Sequence, residues 1–236
     1  MLNEILQLYK SKYQFDKFYD NIFYNISHWQ EYHIENQLFL MQYPWPIRNI
    51  EFEPQKPAFL NNIRVDLPVW FGNLKSEKKV IVVGLEPRNT DAINGYLNIE
   101  HKDNYVFATP FALERPKGVY HKAFKPITEN PVVFSYFTDV VKEYLVLSED
   151  NKKINDLNAR RVFWEKAEQS KCFLKAELDI IRPSAIIALG KESFLFLKKY
   201  FDNDYHIEHF RHPSYGGSKI CKEQMEKIII ETARNK

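Results

Sequence analysis

The sequence predicts an α/β fold: a central, mainly parallel four-stranded sheet between layers of helix, preceded by a helical N-terminal extension. Three observations predict it. The run Val80-Ile81-Val82-Val83-Gly84 consists of β-branched residues up to its glycine, the composition of a strand buried on both faces. Three more strand-like segments follow, at 134–139, 185–190 and 205–210. Helix-period segments separate the later ones, and strands interleaved with helices of this length imply parallel pairing with helices on both sides of the sheet.

Taken in order, residues 1–30 carry a helical stripe in which Phe15, Phe18, Tyr19, Ile22, Phe23 and Ile26 recur at helical spacing, as core-facing positions do. Pro44, Pro46, Pro54, Pro57 and Pro68 then exclude a long helix, and 43–70 reads as an irregular segment wrapping the domain. Lys75-Ser76-Glu77-Lys78-Lys79 is a polar turn feeding the first central strand, 79–84. Phe134-Ser135-Tyr136-Phe137-Thr138-Asp139 is the second strand. Phe163, Ala167, Leu174, Leu178 and Ile181 mark a long helix that Pro183 ends. Ala185-Ile186-Ile187-Ala188-Leu189-Gly190 is the third strand, and 191–201 a helix after its glycine. The fourth strand, Tyr205 to Phe210, runs into Arg211-His212-Pro213-Ser214. A last helix over 219–234 has Met225, Ile228, Ile229 and Thr232 on one face.

At 236 residues the chain is expected to be one domain, 1–236, with a helical and irregular extension over 1–70 and an α/β core over 78–234. A net charge of +2 gives no global field toward nucleic acid, so any such binding requires a local basic patch. The two cysteines, Cys172 and Cys221, are too few for a disulfide framework or a four-thiolate cluster; both read as buried thiols in a reducing compartment. No signal-peptide pattern opens the chain, and no apolar run approaches the ~18 residues of a membrane span. A cytoplasmic monomer with no membrane partner is expected. His206, His209 and His212 invite a metal reading, but strand alternation sets His209 opposite the other two, so no metal is expected. Neither a Gly-x-Ser-x-Gly elbow nor a Gly-x-Gly-x-x-Gly phosphate loop is present.

Chemistry-bearing residues gather at the predicted strand ends, where open α/β sheets bind ligands. They are Gly84-Leu85-Glu86-Pro87, Thr138-Asp139-Val140-Val141-Lys142, Ala188-Leu189-Gly190-Lys191-Glu192 and His212-Pro213-Ser214, with Thr109-Pro110-Phe111 between the first two. In this order they resemble the uracil-DNA glycosylase superfamily. That family has a Gly-x-(Asp/Asn)-Pro loop, a Pro-Phe that stacks on the base, a strand end that reads the base edge, a Leu-Gly-x-x-(Ala/Ser) turn and a final His-Pro-Ser loop. The resemblance spans roughly residues 78–234.

It implies a DNA glycosylase without metal or organic cofactor, with DNA as its partner. A base must leave the duplex stack before an enzyme can act on it. Cleaving the N-glycosidic bond then leaves a cationic sugar and an anionic base. Glu86 matches the catalytic acid that stabilises the cation and orients water, as glycosidase carboxylates do. His212 matches the donor that stabilises the departing base, as an oxyanion hole does. Phe111 matches the ring under the base, where stacking contributes about 1–3 kcal/mol. Asp139 matches the residue that reads the base edge. Pro213–Ser218 matches the loop that enters the duplex, with Ser214 in it and Tyr215 as the candidate wedge. Lys191, Arg211, Lys219 and Lys222 flank the strand ends and are candidates for phosphate contacts.

The chain departs from the family pattern in three ways. Two cysteines cannot supply the four that the iron–sulfur branches use. Asp139 stands where uracil-excising relatives commonly place Asn. An ionised carboxylate can only accept hydrogen bonds, which suits an amino group such as cytosine N4 better than uracil O4. Arg88 follows Glu86-Pro87 and brings a charged, donor-rich fork suited to a phosphate or to a polar group at C5 of a modified pyrimidine. Asp139 and Arg88 together tilt the expected substrate toward a modified cytosine, hydroxymethylated or glucosylated, as in defence against phage, rather than plain uracil. Uracil excision in repair, a non-catalytic nucleic-acid binder and a nucleoside hydrolase are the alternatives.

Overall fold

The computed structural model describes residues 1–13, 38–40, 71–73, 76–86, 119–130, 132–142, 157–214 and 216–234. In chain order the elements are α1 (Leu2–Tyr13), β1 (Leu38–Leu40), β2 (Phe71–Asn73), β3 (Lys78–Gly84), α2 (Val119–Thr128), β4 (Val133–Asp139), α3 (Leu157–Ile181), β5 (Ala185–Leu189), α4 (Lys191–Phe201), β6 (Ile207–Phe210) and α5 (Ser218–Arg234). The four expected central strands are β3, β4, β5 and β6. Helix α1 lies in the segment read as helical, while the stripe from Phe15 to Ile26 falls outside the described residues. Strands β1 and β2 pair antiparallel, on either side of the segment read as irregular.

The main sheet has the order β4-β3-β5-β6 and every pair in it is parallel. The chain steps from β3 outward to β4, then crosses back to β5, so a switch point lies between β3 and β5. In open α/β sheets the crevice at such a point, outside the carboxyl ends of the strands, is the ligand site. Every residue of β4 and β5 is buried, as is β3 from Val80 to Gly84. Both faces are therefore covered, which explains the uninterrupted apolar runs.

Successive residues of β4 show which helices cover which face. The Phe137 ring packs on Phe124 of α2 at 5.0 Å, whereas the Tyr136 hydroxyl donates to Glu177 of α3 at 3.2 Å. Neighbouring strand residues point to opposite faces, so α2 and α3 lie on opposite sides of the sheet. Helix α1 joins α3, through Tyr9 edge-on to Phe173 at 4.8 Å. Helix α4 joins α3 as well, through Trp164 and Phe196 at 5.8 Å. Helix α5 packs against α2. The result is three layers, with Phe163, Ala167, Leu174, Leu178 and Ile181 buried as their spacing predicts.

Helix α2 was not expected. Pro126 stands inside it, and an interior proline removes a helical donor and argues against a helix. Packing overrides that cost: Ala123, Phe124 and Ile127 are fully buried. Cys172 also differs from expectation, because it is exposed on α3 while Cys221 is buried. The buried residues of α3 around it are Ser170, Leu174 and Glu177, which leaves Cys172 on the solvent face. Burial pushes the Cys221 thiol up to about 12.

The α3 face encloses an ion pair. Lys142 and Glu177 meet at 2.6 Å with both side chains at 0% exposure. Glu177 also accepts from Tyr9 at 2.5 Å, Tyr136 at 3.2 Å and Thr138 at 3.1 Å. Lys142 donates to the Thr138 hydroxyl and to the Asp139 main-chain carbonyl. Breaking such a pair from one side strands the other charge, at a cost of about 3–5 kcal/mol. Glu177→Ala is therefore expected to lower stability by about that much, and Tyr9→Phe, which removes one bond to a charged group, by about 1.5–3 kcal/mol. Urea unfolding midpoints measure both, and equal midpoints for wild type and Glu177→Ala would contradict a buried, ionised pair. With a thiol-reactive dye, Cys172 should label in the native state and Cys221 only after denaturation; rapid native labelling of both would contradict the assigned burial.

Candidate active site

The strand register assembles the carboxyl edge. Gly84 pairs with Asp139, Val83 with Ala188, and Ala188 with His209. Pairing continues past the ends of β3 and β4: the Val140 N–H donates to the Gly84 carbonyl and the Val141 N–H to the Leu85 carbonyl, both at 3.0 Å. Half-buried Glu86 is thereby carried alongside the loop that begins at Asp139. Across the switch point, the Gly190 N–H donates to the Phe210 carbonyl at 2.9 Å, which joins the end of β5 to the residues before His212.

Glycine is required at two positions here. Gly190 has φ 83° and ψ 171°, a region essentially closed to residues with a Cβ. A Cβ on Gly217 would lie 2.2 Å from the His212 carbonyl oxygen, well inside contact distance. The β6–α5 loop is also held by Gln224 of α5, which accepts from the Arg211 N–H at 3.0 Å and donates to the His209 carbonyl at 3.3 Å.

His212 is half-buried, and both of its ring nitrogens have partners. Nε2 lies 3.1 Å from the Tyr120 hydroxyl and Nδ1 lies 2.5 Å from the Ser214 hydroxyl. The Tyr120 ring meets the imidazole edge-on, with centroids 5.5 Å apart. Tyr120 then packs on Phe124 at 5.8 Å, and Phe124 on Phe137 of β4. This chain of rings follows the α2 face from His212 to within two residues of Asp139. Strand alternation places Asp139 on the same face as Phe137, and Asp139 is only 2% exposed. Serine hydrolase triads order the histidine with a carboxylate on the nitrogen opposite the serine. Here that nitrogen carries a phenol, so the Ser214–His212–Tyr120 trio does not have the triad's roles.

Of the residues singled out in the sequence, Glu86, Asp139, His212 and Ser214 lie at this edge, and His212 and Ser214 are in contact. Phe111, Arg88 and Tyr215 lie outside the described residues. Lys191 and Arg211 are exposed at the edge and have no ion pair among the described residues. Lys219 and Lys222 lie on α5, where they pair with Glu223 at 4.0 Å and Glu226 at 3.6 Å. His206 pairs with Glu208 at 3.0 Å, and exposed His209 stacks on Phe194 at 4.9 Å. Among the described residues no group of His, Cys, Asp or Glu is arranged to hold a metal ion, and no helix is long and apolar enough to cross a membrane.

Sequence reasoning missed Tyr120, Gln224 and Glu177. Glu177 had a signal: a carboxylate in step with the buried stripe of α3, next to Leu178 and one turn from Leu174. Tyr120 had none, because its helix was not expected. Comparison with protein-family models and with curated protein sequences finds no match.

Gly217→Ala is expected to displace the His212 carbonyl and open the contact with Tyr120. Overpacking of this kind costs about 1–3 kcal/mol. Unfolding curves, together with the His212 ring resonances, report it; wild-type stability with unmoved resonances would show that the loop has room for the methyl group.

Proposed function

We propose that the chain is a DNA glycosylase of the uracil-DNA glycosylase type, which flips out a pyrimidine and hydrolyses its N-glycosidic bond. The observation that supports this reading is that Glu86, Asp139 and His212 all lie at the carboxyl edge of one parallel sheet. An acid, a base-edge reader and a ring donor are the parts that the reaction needs. The parallel four-stranded sheet agrees with the expected core. The finer fold, a glycosylase-like core over 78–234 with a helical N-terminal extension, belongs to the same proposal, as does action by a cytoplasmic monomer without metal or organic cofactor.

In this reading the base enters the crevice between the ends of β3 and β5. Glu86 faces the sugar, stabilises its cationic character and orients the attacking water. The base leaves as an anion toward the His212 side, where preorganised donors lower the barrier. Asp139 reads the base edge. Its rigid backbone supports that role, since the main-chain carbonyl of the residue is held by Lys142. A buried carboxylate that only accepts favours a substrate with an exocyclic amino group, so a modified cytosine is preferred over uracil. Phe111 beneath the base, Arg88 toward a C5 substituent or phosphate, and Tyr215 as wedge complete the proposal. Lys191 and Arg211 would hold phosphates beside the flipped nucleotide.

Duplexes carrying uracil, hydroxymethylcytosine or glucosylated hydroxymethylcytosine, scored by cleavage at the abasic site, test the reading. Excision of a cytosine-type base is expected; excision of uracil alone would move the assignment to repair. Cleavage of free nucleosides but not DNA would indicate a nucleoside hydrolase, and DNA binding without any abasic product a binding protein. Glu86→Gln should abolish excision with DNA affinity nearly unchanged. Asp139→Asn should shift preference from cytosine-type bases toward uracil, and an unchanged preference would remove Asp139 from base reading.

A further inference from the structure

We propose that Lys142 is a positioning residue for Glu86 and Asp139, and that its buried pairing with Glu177 fixes the geometry of two strand ends rather than adding net stability. This rests on the glycosylase reading and deepens it. Lys142 is fully buried, stands three residues after Asp139, and takes no part in the proposed reaction. Stability alone gives no reason for an ion pair there, because replacing a buried pair by apolar residues of similar volume is often neutral or stabilising.

What an apolar residue cannot supply is a donor. The Lys142 ammonium meets Glu177 at 2.6 Å, the Thr138 hydroxyl and the Asp139 main-chain carbonyl, three acceptors for a group with three N–H bonds. Its place is fixed from the other side: Glu177 accepts from Tyr9 at 2.5 Å and Tyr136 at 3.2 Å, and both of its oxygens lie 3.1 Å from the Thr138 hydroxyl. The contact that reaches beyond the pair is the one to Asp139.

The Asp139 carbonyl belongs to the same planar peptide unit as the Val140 N–H, and that N–H donates to the Gly84 carbonyl at 3.0 Å. One plane is thus held at both polar ends, by Lys142 and by the end of β3, and it is the plane that follows Asp139. The next N–H, of Val141, donates to the Leu85 carbonyl at 3.0 Å, which belongs to the plane that precedes Glu86. The planes beside the two carboxylate-bearing residues are therefore tied to each other and to the ammonium. Without the ammonium the first plane can rotate, which swings the Val140 N–H off Gly84 and loosens the tie to Glu86.

The full-length double variant Lys142→Met/Glu177→Gln separates positioning from packing. It strands no charge, and the new amide can still accept from Tyr9 and Tyr136 and donate to Thr138; only the donor to Asp139 is lost. Its urea midpoint should lie above that of Glu177→Ala, and a midpoint at or below it would return the pair to a purely stabilising role. Amide exchange at Val140 and Val141, followed by NMR, should speed up about tenfold beyond any change at Val82 and Ile187 in the sheet centre, as local opening does. Base excision should lose about a hundredfold in kcat, with KM within about threefold of wild type, because small misplacements of reacting groups cost that much. Exchange at Val140 and Val141 that only follows the sheet centre would overturn the proposal whatever the protein excises, and wild-type kcat in the variant would overturn its link to the reaction. The wild type tests the same point without a variant: the Lys142 ammonium should give a nitrogen NMR signal whose protons exchange slowly with water, and exchange as fast as that of an exposed lysine would overturn the proposal. If the wild type excises no base from DNA, the glycosylase reading falls, while selective exchange at Val140 and Val141 in the variant would still establish Lys142 as the anchor of this edge.

Discussion

The buried pair of Lys142 and Glu177 is the interaction on which the rest of the structure depends. Removing two charges from water costs several kcal/mol each, even after relaxation. The attraction between them offsets that cost only when the remaining donors and acceptors are also satisfied. Here Glu177 receives Tyr9 from α1, Tyr136 and Thr138 from β4, and Lys142 from the loop after β4. Three separate parts of the chain must be in place before the pair is affordable. Once formed, it anchors the exit of β4 through the Asp139 carbonyl, and the two extra ladder bonds to Gly84 and Leu85 extend that anchoring to Glu86.

The opposite face of the sheet is fastened differently. From Phe137 through Phe124 and Tyr120 to His212 the contacts are ring on ring, and the last link is a hydrogen bond. Gly190 supplies a backbone conformation closed to other residues, Gly217 lets the backbone approach the His212 carbonyl closely, and Gln224 clamps the strand that leads to His212. An ionic lock on the α3 face and an aromatic chain on the α2 face thus converge on one edge. Neither side of the candidate site rests on its own loop alone.

Much of this was legible in the sequence, for identifiable reasons. The strands were legible because burial on both faces demands unbroken apolar runs such as Val80 to Val83. The long helix was legible because Phe163, Ala167, Leu174, Leu178 and Ile181 keep a helical period. Glu86, Asp139 and His212 were legible as polar residues at the ends of apolar strands. Helix α2 was not, because Pro126 opposes it locally and only the burial of Phe124 and Ile127 favours it. Tyr120 was lost with it. Cys172 was misread because cysteine is usually buried, whereas its position on α3 faces solvent. Glu177 looks like an error of patterning until Tyr9 and Lys142, 168 and 35 positions away, are brought to it by the fold.

Strand β6 closes the described sheet on one side, and of its outward-facing backbone groups the His209 carbonyl and the Arg211 N–H are already taken by Gln224. Such edges template aggregation unless something blunts them. Strand β6 is four residues long, with exposed His209 beside half-buried Glu208 and charged Arg211 directly after it. A second copy seeking to add a strand would find too few ladder bonds and would have to strip water from these polar groups. The features that bring the chain to His212 also keep the sheet from growing: a short strand that turns early into a glycine-dependent loop serves as a terminus as well as a lead-in to the site.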